Sequence, residues 1–151
     1  LGVLTAAVTA MSLVVTALSY TPSQWLPFVI GTLLVGLIYA MLGALAGAAV
    51  GRLGATYLLL FGAMLDLGIV QNPMFGSGTP PAWGAWLPGY GPGRMIIDGA
   101  FADEFHAWAG LALGLAWTVV LGAATVVVLA RSVSPAARRR FAGSRAAHTA
   151  R

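Results

Sequence analysis

Charge is scarce in this chain. Charged residues make up 8% of its 151 residues, where a soluble domain carries about 25%. Lysine is missing altogether, so all eight basic residues are arginine, and they face four acidic residues. Cysteine is missing too, which excludes disulfides and thiolate metal sites. What fills the sequence instead is apolar: 59% of it is hydrophobic and its mean hydropathy is +0.87. A soluble domain of this length buries only about two-thirds of its chain surface. No such fold hides this much apolar surface, so lipid is the expected solvent. The sequence pI of about 10.4 raises the question of nucleic acid. The arginines, however, fall in a tail and at one helix turn, not among stacking aromatics. Nucleic acid is therefore not an expected partner.

Four apolar stretches follow one another: residues 1–18, 25–51, 53–70 and 108–130. Each approaches the ~20 residues that a helix needs to cross ~30 Å of hydrocarbon. Lipid cannot satisfy a bare backbone, so each is expected to be helical. The expected fold class is all-α, an integral membrane bundle of about four transmembrane helices plus an outer interfacial or re-entrant helix. The transmembrane domain covers 1–131 and a basic tail covers 132–151. The chain opens on Leu1, already apolar, with no basic segment ahead of a small-residue cleavage site. That start reads as a cut through a longer protein, not as a signal peptide.

Arginine positions predict the orientation. Arg52 lies between the second and third stretches, and Arg131, Arg138, Arg139, Arg140, Arg145 and Arg151 follow the fourth. With four crossings these fall on one side, which the positive-inside rule makes cytoplasmic. Tyr20, Trp25, Trp83, Trp86, Tyr90 and Trp108 map to the other interface, where amphipathic rings anchor. Both ends of the chain are thus expected in the cytoplasm, with the protein multi-pass in the plasma membrane. The Arg138–Arg140 run suits anionic headgroups, and His148 has no expected role. The second stretch carries Gly43, Gly47 and Gly51 at a spacing of four, a smooth face for close helix packing.

The loop 71–107 is too long for a plain turn. It combines turn formers (Pro73, Gly76, Gly78, Pro80, Pro81, Gly84, Pro88, Gly89) with rings (Phe75, Trp83, Trp86, Tyr90). That mixture predicts a loop folded back onto the bundle mouth. After Gly91–Pro92, the residues Ile97, Phe101, Phe105 and Trp108 recur at helical spacing, which predicts an amphipathic helix lying at the outer interface. Asp66, in the third stretch, needs a partner. Arg94 is the one basic residue on that side, so an Asp66–Arg94 latch is expected.

Chemistry has few footholds. Asp103, Glu104 and His106 match no metal-ligand spacing. No phosphate-cradling G-x-x-x-x-G-K-[ST] loop, no nucleophile elbow and no H-E-x-x-H occurs. No catalytic, cofactor-binding or metal residue is assigned, and the chain is not expected to be an enzyme.

Two phrases carry a resemblance. "GRLGATYLLLFGAMLDLGIVQNPMF" and the later "WLPGYGPGRMIIDGAF" before the last helix are similar to type-2 ABC exporter permeases, the membrane subunits of ATP-binding-cassette transporters. The likeness spans most of 25–131. It implies that the four helices match the third to sixth of a six-helix permease. The first two helices and the cytoplasmic segment that meets the ATPase are absent from this sequence. The partners implied are an ABC ATPase subunit, which would hold ATP and Mg, a second permease copy and the lipid bilayer. Asp66, Gln71, Asn72 and Arg94 would line or brace the outer gate. Competing readings are a small membrane assembly or sensor subunit without a pore, and a proton-coupled exporter. The last would need a carboxylate nearer the midplane than Asp66. A membrane enzyme has least support.

Overall fold

A computed structural model describes residues 2–75 and 80–132. Regular structure among them is entirely helical: α1 (Gly2–Ser19), α2 (Trp25–Ala63), a π-helical turn (Met64–Val70), a 3-10 turn (Ala82–Trp86), α3 (Tyr90–Phe101) and α4 (Trp108–Ser132). The tail with Arg138–Arg140 and His148, and the loop positions Gly76 and Gly78, lie outside the described residues.

Two helical segments are long and apolar enough to cross a membrane: Trp25–Val70, of 46 residues, and Trp108–Arg131, of 24. The apolar part of α1, Ala6–Ser19, is shorter. A straight helix of 46 residues would run for about 69 Å. This one does not, because the chain turns back at Gly51. Its φ of 76° and ψ of 172° lie in a region essentially reserved for glycine. Two limbs, 25–50 and 52–70, then lie side by side. A Cβ on Gly43 would sit 2.7 Å from Leu59 Cδ1, and the Tyr39 hydroxyl reaches Asp66 at 2.6 Å.

The glycine face expected for packing therefore divides in function. Gly43 meets the second limb, Gly47 has nothing within 4 Å, and Gly51 makes the turn.

The core lies between the first limb and α4, where Ile38, Met41 and Leu121 are buried together against Leu42, Leu45 and Trp117. A Cβ on Gly114 would meet Leu34, and one on Gly122 would meet Met41, so α4 runs parallel to the first limb. Trp25 and Trp108 consequently share one end of the bundle, and Arg52 and Arg131 share the other. Burial elsewhere is slight. Only 22% of the most apolar stretch in Trp25–Val70, and 17% of that in Trp108–Arg131, is covered. Leu58, Leu60, Phe61, Val119, Val120 and Val126 all stand exposed. Water does not favour such a surface.

Of the expected loop helix, α3 covers Tyr90–Phe101 and stops short of Phe105 and Trp108; Phe101 is 72% exposed. The helix is wedged between α2 and α4, and its buried face is made of Gly91, Pro92, Gly93, Met95, Gly99 and Ala100. A Cβ on Gly91 would lie 2.4 Å from the Gly110 carbonyl oxygen and 2.8 Å from the Gly114 nitrogen. A Cβ on Gly99 would lie 2.6 Å from the Phe28 nitrogen. Backbone meets backbone here, and small residues allow it.

Candidate functional site

Asp66 is the most deeply buried charged side chain among the described residues, at 3% exposure. A buried carboxylate needs donors, and three elements supply them. From the first limb, the Tyr39 hydroxyl donates to Oδ2 at 2.6 Å. From the start of α3, the Gly89 backbone N–H donates to the same oxygen at 2.8 Å. From the end of the π turn, Gln71 Nε2 donates to Oδ1 at 3.2 Å.

Gln71 does more than face Asp66. Its backbone N–H donates to the Asp66 carbonyl oxygen at 2.8 Å, a bond spanning five residues that belongs to the π geometry. Its Nε2 also donates to the Gly84 carbonyl at 3.0 Å. One buried side chain thus ties the second limb to the 3-10 turn.

The carboxylate also sits at the N-terminus of α3, where unsatisfied backbone N–H groups carry partial positive charge. That is an electrostatic match made without a cation. Gly89 has to be glycine at this point, since a Cβ there would come within 2.7 Å of Asp66 Oδ2 and 2.6 Å of Leu67 Cδ2.

The far end of α3 is closed in the same way. Gln24 N donates to the Gly99 carbonyl at 2.8 Å and Ser23 N to the Ala100 carbonyl at 3.2 Å. The Tyr20 hydroxyl donates to the Ala100 carbonyl as well. Gln24 Nε2 donates to the Ala102 carbonyl at 2.8 Å. A twelve-residue helix containing three interior glycines and a proline is a poor helix by propensity. Capping of both ends by distant residues compensates.

Asp98 performs a related service for α4. Its Oδ2 accepts from His106 N at 2.7 Å and Ala107 N at 3.0 Å, which pins the chain just ahead of the first residue of that helix.

The four residues expected around an outer gate are therefore placed unequally. Asp66 and Gln71 are joined directly. Arg94 lines a small cavity of about 80 Å³ with Gln71, Pro73 and Pro80. Asn72 serves a local turn, its Oδ1 accepting from Met74 N at 2.9 Å. The expected Asp66–Arg94 latch is not made, and no ion pair joins them among the described residues. Asp66 is held by neutral donors, and the Arg94 guanidinium lies 5.5 Å from the centre of the Tyr90 ring. Charge pairing was the wrong guide to this carboxylate. Tyr39 and Gly89 were missed because a hydroxyl in an apolar run and a backbone N–H in a loop leave no pattern in sequence. Gly89 directly before Tyr90–Gly91–Pro92 was the available hint of a helix start.

Beside this node an apolar cleft of about 300 Å³ opens between the two limbs, lined by Tyr39, Leu42, Ala46, Leu58, Leu59 and Asp66 among others. No three His, Asp or Glu side chains converge as metal ligands among the described residues. Comparison with known protein families, with curated proteins and with solved structures returned no match.

Proposed function

We propose that this chain is a membrane-embedded permease segment of an ATP-driven ABC exporter, with the Asp66 node bracing its outer gate. Four crossings, residues 2–19, 25–50, 52–70 and 108–131, would carry it through the plasma membrane with both ends in the cytoplasm. Support for the membrane placement comes from the slight burial of the apolar helices and from the separation of charge. Arg52 and Arg131 stand at one end of the bundle, while Trp25, Trp108 and all four carboxylates belong to the other half. A cytoplasmic arginine end and an aromatic outer end satisfy the positive-inside and aromatic-belt tendencies together.

The observation that carries the functional reading is α3. A short helix reaches back into the outer half of the bundle, about 9 Å past Trp108 at the level of Gly114, and is clamped at both ends by other elements. Non-helical backbone is tolerated at such depth only where protein satisfies it, and here Asp66, Gln71 and Gln24 do so. A plug of this form suits the outer mouth of a pathway that opens on alternate access. A partner ATPase would supply ATP hydrolysis, and a second permease copy would complete the pathway through the exposed apolar faces.

The test is co-expression of the full reading frame with the ATPase coded beside it. Purification of the two as a complex, with ATP turnover lowered by Asp66→Ala, is the expected result. A frame that starts at this segment and has no ATPase beside it would refute the transporter reading. The second reading, a non-transporting assembly or sensor subunit, would then stand. The membrane placement is tested separately. Single cysteines introduced at Ser23 and Arg52 of this cysteine-free chain should label from opposite sides of sealed vesicles. Labelling of both from one side would refute the hairpin crossing.

A further inference from the structure

Arg94 is the residue that the Asp66 node leaves over. It is half-buried, in a chain where charge is rare, yet it makes no ion pair or hydrogen bond among the described residues, and its contact is the Tyr90 ring at 5.5 Å. A guanidinium carries five donors in a fixed fork, and a half-buried site strips it of part of its hydration without giving it an acceptor. Its position is fixed from both sides. The backbone of α3 packs on α4 through Gly91 and Gly110, and a Cβ on Gly110 would stand 3.4 Å from Arg94 Cβ. Gly110 is two residues past Trp108, so the side chain leaves α3 level with the first turn of α4.

A pocket of about 280 Å³ opens there, lined by Tyr90, Arg94, Asp98, His106 and Gly110 among others. It is markedly more polar than the cleft between the limbs. Asp98, one turn further along α3, makes no ion pair with the arginine among the described residues; its Oδ2 accepts from the backbone N–H groups of His106 and Ala107. The volume of about 280 Å³ lies just below the usual range for ligand pockets, about 300–1,000 Å³, and fits a compact group, not a whole amphiphile.

We infer that this outer pocket is a site for a phosphate-class oxyanion, held by the Arg94 fork with Tyr90 and His106 at its rim. Arginine forks match phosphate geometry with paired N–H···O bonds. In the membrane placement proposed above, the pocket lies at headgroup depth. The phosphate could arrive on an anionic lipid or as a free ion. The inference rests on that placement and is independent of whether the chain transports.

The experiment uses the purified full chain in nanodiscs of equal phosphatidylglycerol and phosphatidylcholine, with retained lipid counted by native mass spectrometry. Wild type should retain phosphatidylglycerol in roughly tenfold excess over phosphatidylcholine. Arg94→Gln should lose that excess, and Arg94→Lys, which keeps the charge, should hold part of it. Arg52→Gln at the opposite end should leave it in place.

Inorganic phosphate and glycerol 1-phosphate are then added to the wild type. Displacement of the retained lipid shows that the pocket accepts a free phosphate. Retention against both shows that the lipid is the source. Equal retention of the two lipids with no effect of phosphate would overturn the inference. So would an excess of phosphatidylglycerol that survives Arg94→Gln, which would assign it to the other arginines. A chain that stays dispersed without detergent or lipid would instead refute the membrane placement.

Discussion

Removing Tyr39 and Asp66 singly and together gives the sharpest check on the buried node. Tyr39→Phe deletes one donor to a charged acceptor, and such a bond contributes about 1.5–3 kcal/mol. Asp66→Ala deletes the acceptor and leaves three donors facing a space they cannot satisfy: the Tyr39 hydroxyl, the Gly89 N–H and Gln71 Nε2. Gln71 keeps its bond to the Gly84 carbonyl, so the cost falls mainly on the other two. At about 1–3 kcal/mol for each of the two stranded groups, the loss is about 2–6 kcal/mol.

In the double variant the hydroxyl is no longer stranded. The pair should therefore cost at least about 1 kcal/mol less than the sum of the singles. Unfolding of the micelle-held protein by graded addition of a denaturing detergent, followed by circular dichroism and tryptophan fluorescence, measures this. Additive effects, or an Asp66→Ala variant within about 0.5 kcal/mol of wild type, would refute the node. The matching cycle between Asp66 and Arg94 should come out additive.

Further outcomes follow from the close approaches. Gly91→Ala drives a Cβ into the backbone of Gly110 and Gly114; neither can rotate away, so a loss of at least about 1–3 kcal/mol is expected by the same assay. Gly47→Ala, with nothing within 4 Å, should be neutral or slightly stabilising, and a comparable loss there would argue against the assigned packing. Gly51→Ala forces a Cβ onto a φ of 76° with a ψ of 172° and should cost about 1–3 kcal/mol, and Gly51→Asn should cost a similar amount because this region does not favour Asn either. Asp98→Ala releases the chain that leads into α4 and should destabilise by about 1 kcal/mol, with faster amide exchange at His106 and Ala107 as the local sign.

Much of the helical layout was legible because apolar run length carries it. The stretches read as 25–51, 53–70 and 108–130 correspond to the two limbs of the hairpin and to α4 with shifts of a residue or two, and Arg52 marked the turn. The start of α3 was legible in Gly91–Pro92. Its buried face was not. Helical periodicity looks for large apolar residues facing inward, but α3 packs through Gly91, Gly93 and Gly99 and turns Phe101 outward. Close approach of backbone to backbone at Gly91 and Gly99 decides this face, with Met95 filling the space between, so the spacing of large apolar residues does not mark it. The π turn at Met64–Val70 was equally hidden, since it depends on Gln71 reaching back to Asp66 across five residues. Of the residues singled out, Asp66 and Gln71 are joined by a hydrogen bond, whereas the pairing of Asp66 with Arg94 followed from the rule that a carboxylate seeks a cation, and neutral donors take that place.

The two clamps on α3 also set an order of events. Its carboxyl end waits on Tyr20–Gln24 and its amino end on Asp66, partners up to 80 residues away in sequence, and its body needs Gly110 and Gly114 from α4. No part of that support is local, so α3 cannot settle until nearly the whole segment has been synthesised and the other helices have met. Once seated, α3 touches both α2 and α4 through backbone-close contacts at Gly99 and Gly91, so the piece that locks last is the one that ties the other helices together at the mouth of the bundle.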